Sequence, residues 1–211
     1  MAIQRSEIVA EALNLLDAAG IEGLTMRGLA QRLQIQAPSL YWHFPSKQAL
    51  MDSMSDALME GVAREVSPSA SCDERILQVA REIRSALLSR RDGAQVFSGT
   101  FVPTENVLRV GESLICALRD GGLDPGPAHW SAFSILYYIL GFVIEEQGMA
   151  ALDTAAFDAK KKALQKMYQA QFPNAFAAAE AVLSSDPDIR FTFGIKHLIG
   201  GLRLDGNSQH E

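Results

Sequence analysis

Apolar residues recur along this chain at the spacing of helices, and nowhere in the alternation of strands. Ile8, Ala12, Leu15 and Leu16 fall three or four apart and predict a first helix over about residues 6–19, with Gly20 as its C-cap. A short helix follows behind Thr25 as N-cap, carrying Leu29, Ala30 and Leu33 on one face. Gln34-Ile35-Gln36 reads as a turn, and Pro38 suits the opening of the next helix, where a missing N–H costs little. There Leu40 and Phe44 lie four apart and face inward, which turns Ser39, Tyr41, Trp42 and His43 mostly outward. Aromatic rings beside a hydroxyl on the outer side of so short a helix are out of place on a solvated surface. They fit against a groove.

Ser46 caps a longer helix with Leu50, Met54, Ala57 and Leu58 on one side, and residues 67–71 form a polar break. Ser71 and Glu74 make a capping box that opens a helix to about Arg90, ended by Asp92-Gly93. Thr104 starts another, which stops at Gly121-Gly122. Asp124-Pro125 and Asp186-Pro187 each combine a cap with a first-turn proline. The first opens the most apolar helix, about residues 127–149, and the second opens the last helix, to about Leu204. The Ala-rich stretch 153–185 is less well defined. The expectation is an all-α fold of about nine to ten helices: a three-helix module over 1–46, then a larger unit over 47–211, with 47–66 as a connecting helix. Phe133, Leu136, Leu140 and Val143 on the apolar helix, and Ile189, Phe193 and Gly200 on the last, leave more apolar sides than one core needs. Either they pack internally or, as the surplus suggests, they pair two copies into a homodimer.

With 211 residues, 48% of them hydrophobic and 21% charged, the chain falls in the range of ordinary globular proteins. Ser134, Gly141 and Glu145-Glu146 interrupt the apolar run 132–144, so no membrane span is expected, and no signal peptide is read at the start. Cys72 and Cys116 lie far apart with no metal-ligand spacing, which suits reduced thiols in the cytoplasm. The net charge of −6 hides a local contrast. Between Gly23 and Met51 there is no Asp or Glu, while Arg27, Arg32 and Lys47 give +3, leaving −9 elsewhere. A positive island on an acidic body can touch phosphate locally. Catalysis finds little support. None of His43, His129, His197 and His210 forms a helical-spaced pair with a ligand or base, and Glu145 and Glu146, adjacent on a helix, point about 100° apart. No phosphate loop or nucleophile elbow is present. The reading is therefore no enzyme, no cofactor and no bound metal.

The stretch Leu40-Tyr41-Trp42-His43-Phe44, followed by Ser46-Lys47-Gln48-Ala49-Leu50, resembles the TetR family of transcriptional repressors, and within it the tetracycline-repressor branch. The resemblance implies a helix-turn-helix over 1–46 that binds a double-stranded operator, and an effector-binding and dimerisation domain over 47–211. It matches Thr25, Arg27, Ala37, Pro38, Ser39, Tyr41, Trp42, His43 and Lys47 to DNA-contacting positions. Arg27 and Lys47 can neutralise phosphates on either side, Tyr41 and His43 can donate to phosphate oxygens, and Ala37 and Pro38 can pack on thymine methyls. Ala37 stands where that branch has a base-reading glutamine, which implies a different operator.

Residues 86–105 and Gly141-Phe-Val-Ile-Glu-Glu-Gln147 resemble that branch's effector domain, which holds a magnesium–tetracycline complex. Thr100 and Glu145 match two of its metal-site positions. Phe97 replaces the metal-binding histidine, and phenylalanine cannot ligate a cation. Other polar positions read Ala63, Val79, Phe101 and Leu114, Ile83 replaces an aromatic, and Val102 is an insertion. These replacements favour a flat, largely hydrophobic effector that is not a metal chelate, with Val79, Ile83, Phe97, Thr100, Phe101, Leu114 and Tyr137 as liners and His129 and Glu145 as polar contacts. Two other readings stay open: a pocket filled to plain core, and a helical ligand-sequestering protein without operator binding.

Overall fold

The amino-terminal head is a three-helix unit whose turns are held by side chains that the sequence places there. The structure, a computed structural model, describes residues 3–100, 103–184 and 186–207, with side chains described except at 179–184 and 202–207. Helix α1 (Arg5–Gly23) buries Ile8, Val9, Ala12, Leu13, Leu15 and Leu16. Gly20 takes a positive φ of 72°, which glycine reaches without a Cβ clash, and one more helical turn follows this kink. Thr25 caps α2 (Met26–Arg32) by accepting from the Gly28 N–H at 3.0 Å. Gln34 turns the chain in the left-handed region, and α3 (Ala37–His43) begins at once. Leu40 and Phe44 are fully buried, the fixed points that set which side of α3 faces out.

Ser46 caps α4 (Lys47–Leu58), which packs against α1 and runs on into the body. Here the chain departs from the expected helix over 47–66. After Leu58 it coils through turns that bring Met59 and Val62 inward, with Ala63 at positive φ and its N–H bonded to Glu82 Oε2 at 2.7 Å. The body is a stack of α5 (Cys72–Leu88), α7 (Glu105–Asp120) and α8 (Pro125–Ala150), with α6 (Gly93–Ser98) wedged against α4, α5 and α8. The expected capping box at Ser71 and Glu74 opens α5. Helices α9 (Thr154–Gln171) and α10 (Pro173–Ser184) pack on each other, and α9 buries no residue. The last helix, α11 (Pro187–Asn207), lies on α5 and α8.

Among the described residues there are eleven helices and no strand. The extra elements have plain causes. Asp92, at φ 56°, breaks the chain but restarts it as the six-residue α6, and Pro173 divides the Ala-rich stretch into two helices. Helix α8 is the one described helix long and apolar enough to cross a membrane. It nevertheless gives Ala128, Ser131, Ala132, Ile135, Ile139, Leu140 and Val143 to the interior. Leu140 and Val143, expected on a pairing face, are thus core. The large apolar groups that α8 leaves outside are Trp130, Tyr137 and, near its end, Met149, while α11 exposes Ile189 and Phe193.

Candidate nucleic-acid interface and ligand cavity

Because Leu40 and Phe44 are anchored, the other side of α3 is presented to solvent. Trp42 is 90% exposed and Tyr41 49%, with Pro38 and Ser39 beside them; Ala37 and His43 are half-buried. Burying a tryptophan is favourable, so one left almost fully in water signals a surface kept for a partner. Arg27 is exposed and forms no ion pair among the described residues. Thr25, also exposed, spends one hydroxyl lone pair on its cap. Lys47 is half-buried, its ammonium 3.4 Å from the Ile21 carbonyl, so its reach toward phosphate starts from a weak internal bond.

The positive island is smaller than the count of charges implied. Arg32 is paired at 2.5 Å with Glu11 of α1, and the guanidinium, helped by Asn14, holds that carboxyl below the usual carboxylate range. Of the island's three cations, Arg27 and Lys47 therefore remain without a carboxylate partner among the described residues. Arg5 is a positioning residue that sequence reasoning missed. Its guanidinium donates to the His43 carbonyl at 2.7 Å and to Ser53 Oγ at 3.1 Å, and lies 4.2 Å from the centre of the Phe44 ring. It fastens the end of α3 to α1 and α4, and no local pattern around position 5 could have announced a partner 38 residues away.

The body holds a cavity of about 830 Å³ between α6, α7 and α8, closed at one side by Met59 and Ile83. Five expected liners meet there: Ile83, Phe97, Thr100, Leu114 and His129. Val79 does not reach it, being buried in the core of α5, and Phe101 lies outside the described residues. Tyr137 and Glu145, both exposed, line a separate surface groove of about 520 Å³ with Tyr138, Phe142 and Arg190. Successive turns of α8 face different neighbours, so a match at position 145 does not put its carboxylate at the cavity. Most of the remaining wall, unforeseen, is α7: Val107, Leu108, Arg109, Gly111, Glu112 and Ile115, opposite Phe133 and Leu136. The amphipathic run 105–118 was the available signal for it.

The polar groups at the cavity are few and mostly engaged. The Thr100 hydroxyl lies 2.8 Å from the Phe97 carbonyl and 3.2 Å from Ser55 Oγ, which in turn bonds the Met51 carbonyl of α4. Asn106 donates twice to Asp56, through its N–H at 3.0 Å and its amide at 2.8 Å. Arg109 donates to the Met59 and Glu60 carbonyls at 2.8 and 3.0 Å. The cavity wall is thus wired to α4 and its end at both sides. Among the described residues no three His, Cys, Asp or Glu side chains gather to hold a metal ion, and Phe97 offers none at the wall. The residues do not fit a chelated cation.

Residues 8–54 match the family model for bacterial regulatory proteins of the tetR family, and residues 67–205 match that for the tetracyclin repressor-like C-terminal domain. A class C tetracycline repressor protein from Escherichia coli is 33% identical over 202 residues, spanning 95% of this chain and 90% of that protein. A possible TetR family transcriptional regulator from Streptomyces coelicolor A3(2) superposes with a TM-score of 0.86 at 33% identity, covering 95% of this chain and 99% of that one. ActR from Streptomyces coelicolor in complex with actinorhodin superposes at 0.85 with 27% identity, covering 98% and 99%.

Proposed function

The chain belongs to the TetR family, DNA-binding transcriptional regulators with a ligand-binding domain, and on that premise we propose a homodimeric repressor freed from a palindromic operator by a small, largely apolar effector. Magnesium–tetracycline is not that effector. The observation carrying this reading is the pairing of a rigidly backed, outward-facing Tyr41–Trp42 edge with a roomy apolar cavity tied to α4. The first suits a major groove; the second suits a ligand able to move the helix that joins the two.

The roles follow from position. Pro38, Ser39 and Ala37 sit where an entering helix meets base edges, with Tyr41, Trp42, His43, Arg27 and Thr25 toward the sugar-phosphate strands and Lys47 on the far side. One seven-residue helix reads too little DNA for strong specificity, so two heads must act together. Trp130 and Tyr137 of α8 with Ile189 and Phe193 of α11 supply an exposed apolar stripe for a second copy. ActR, solved in complex with actinorhodin, is a relative of this shape that takes a ligand, which supports a ligand here too. A cavity of this size is also more than a domain keeps empty as plain core. By linkage, a ligand favouring misaligned heads weakens operator binding by the factor by which operator weakens the ligand.

The reading is tested by sedimentation of the purified chain together with fluorescence anisotropy on duplexes drawn from DNA flanking its own gene. A dimer that binds one such duplex, with an affinity falling steeply with salt, is expected. A monomer with no anisotropy change even at low salt would leave a ligand-sequestering helical protein as the better account. Tight binding of magnesium–tetracycline would overturn the effector class.

A further inference from the structure

We infer that the effector carries an anionic group, a carboxylate or ionised phenol on a hydrophobic frame, and that Arg109 is the residue that receives it; this rests on the cavity being the effector site. Among the described residues Arg109 is the one guanidinium on a wall made otherwise mostly of apolar side chains. It is half-buried, yet among the described residues no carboxylate lies within ion-pairing distance. Its bonds go to neutral acceptors: the Met59 and Glu60 carbonyls, and Asn106 Oδ1 at 3.3 Å. Among the described residues its Nε–H is buried without any partner. Partly desolvated cations are ordinarily matched by an anion, and a sealed donor with no acceptor is a standing cost that a ligand oxygen would remove once the side chain turns toward the cavity. The nearby carboxylate of Asp56 is turned to Asn106, which accepts from Arg64 as well. Glu105 and Glu112 also border the cavity, but both are exposed and solvated, as is His129, so they weigh on a ligand through water.

The same guanidinium holds the chain just past α4. An anion that draws Arg109 toward the cavity competes with the Met59 and Glu60 carbonyls for its N–H groups, and loosens the turn that ends α4. Charge capture and the operator switch would then be one event.

Calorimetry with matched probes tests this: naphthalene-2-carboxylate, anthracene-9-carboxylate and anthraquinone-2-carboxylate, each beside its methyl ester, against the full chain, Arg109→Gln and Arg109→Lys. The wild-type chain should bind the acid of at least one pair about tenfold tighter than its ester, as a charge-assisted hydrogen bond implies. Arg109→Gln should erase the preference while keeping the ester's affinity, and Arg109→Lys should keep part of it. In hydrogen exchange, the acid should speed the amides of residues 59–62 in the wild type and leave them unchanged in Arg109→Gln. Esters binding as well as acids, a preference surviving in Arg109→Gln, or stronger binding of 9-(aminomethyl)anthracene than of any acid would each overturn the proposal while leaving the cavity as the effector site. Failure of acids, esters and amine alike would instead remove the cavity reading, and this proposal with it.

Discussion

The head and the body use the same helices-on-helices construction to opposite ends. In the head the interior is full and the chemistry faces out: Leu40 and Phe44 are sealed, while Tyr41 and Trp42 stand in water. In the body the interior is left partly open and the chemistry faces in, with α7 and α8 in contact yet lining a cavity. A surface that reads another molecule needs stiffness behind it. A cavity that responds to one needs slack inside.

That contrast is most easily broken by changing interior volume in each region. Phe44→Ala should cost about 3–5 kcal/mol, seen as a lower urea midpoint, because the packed head cannot collapse around the hole. Gly111→Leu should do the reverse. No atom lies within 4 Å of a Cβ built at Gly111, so the added side chain enters the cavity, and replacing a mid-helix glycine should stabilise by about 0.5–1 kcal/mol. The same variant should bind hydrophobic probes at least about tenfold more weakly and hold operator through effector concentrations that release the wild type. Destabilisation by Gly111→Leu in thermal melts would mean that the body is as full as the head.

Smaller effects sharpen the comparison at the surface. Tyr41→Ala and Trp42→Ala should leave the melting temperature nearly unchanged, since exposed substitutions fall within about 0.5 kcal/mol, yet weaken operator binding roughly tenfold in anisotropy. Arg27→Ala should lower the slope of log affinity against log salt by about 2, because a homodimer on its operator loses one phosphate contact from each head. The least effect belongs to Arg32, whose charge is spent on Glu11. Since that pairing lowers the Glu11 carboxyl in the folded state, its stabilisation is present above the ordinary carboxylate range and lost as pH falls through the folded value. Arg32→Gln should therefore raise Glu11's titration toward normal in an NMR pH series and cost at most about 0.5 kcal/mol near neutrality, with no cost in strong acid.

The unequal visibility of the two regions in the sequence has the same origin. The head is made of contacts between residues close in the chain: Thr25 with Gly28, Leu40 with Phe44, Ser46 with Ala49. Such spacings can be read directly, and the caps at Thr25, Ser46 and Ser71 form as expected. The cavity instead joins residues from Met59 to Leu136 across four helices, so its wall depends on how helices rotate against one another, which periodicity does not fix. Position-by-position likeness carried Ile83, Phe97, Thr100 and Leu114 to the wall but also suggested Glu145, whose helix turns it, like Tyr137, to another groove. Arg5 and Arg109 had no sequence signal at all; each matters through backbone carbonyls, which every residue has.

Asp92 adds a mechanical consequence. Its carboxylate takes the Ile21 N–H at 2.9 Å just beyond the bend at Gly20, and Asp17 on the same helix is held by the Arg91 N–H and the Arg90 guanidinium. The end of α1 is thereby pinned to the loop before α6, beside its contact with Lys47 of α4. A body that tugs on α4 cannot simply drag its head along. In the proposed dimer, a ligand that slid α4 would swing the head about that pin, turning a slight slide into an arc at α3 and a larger change in the spacing of the two heads.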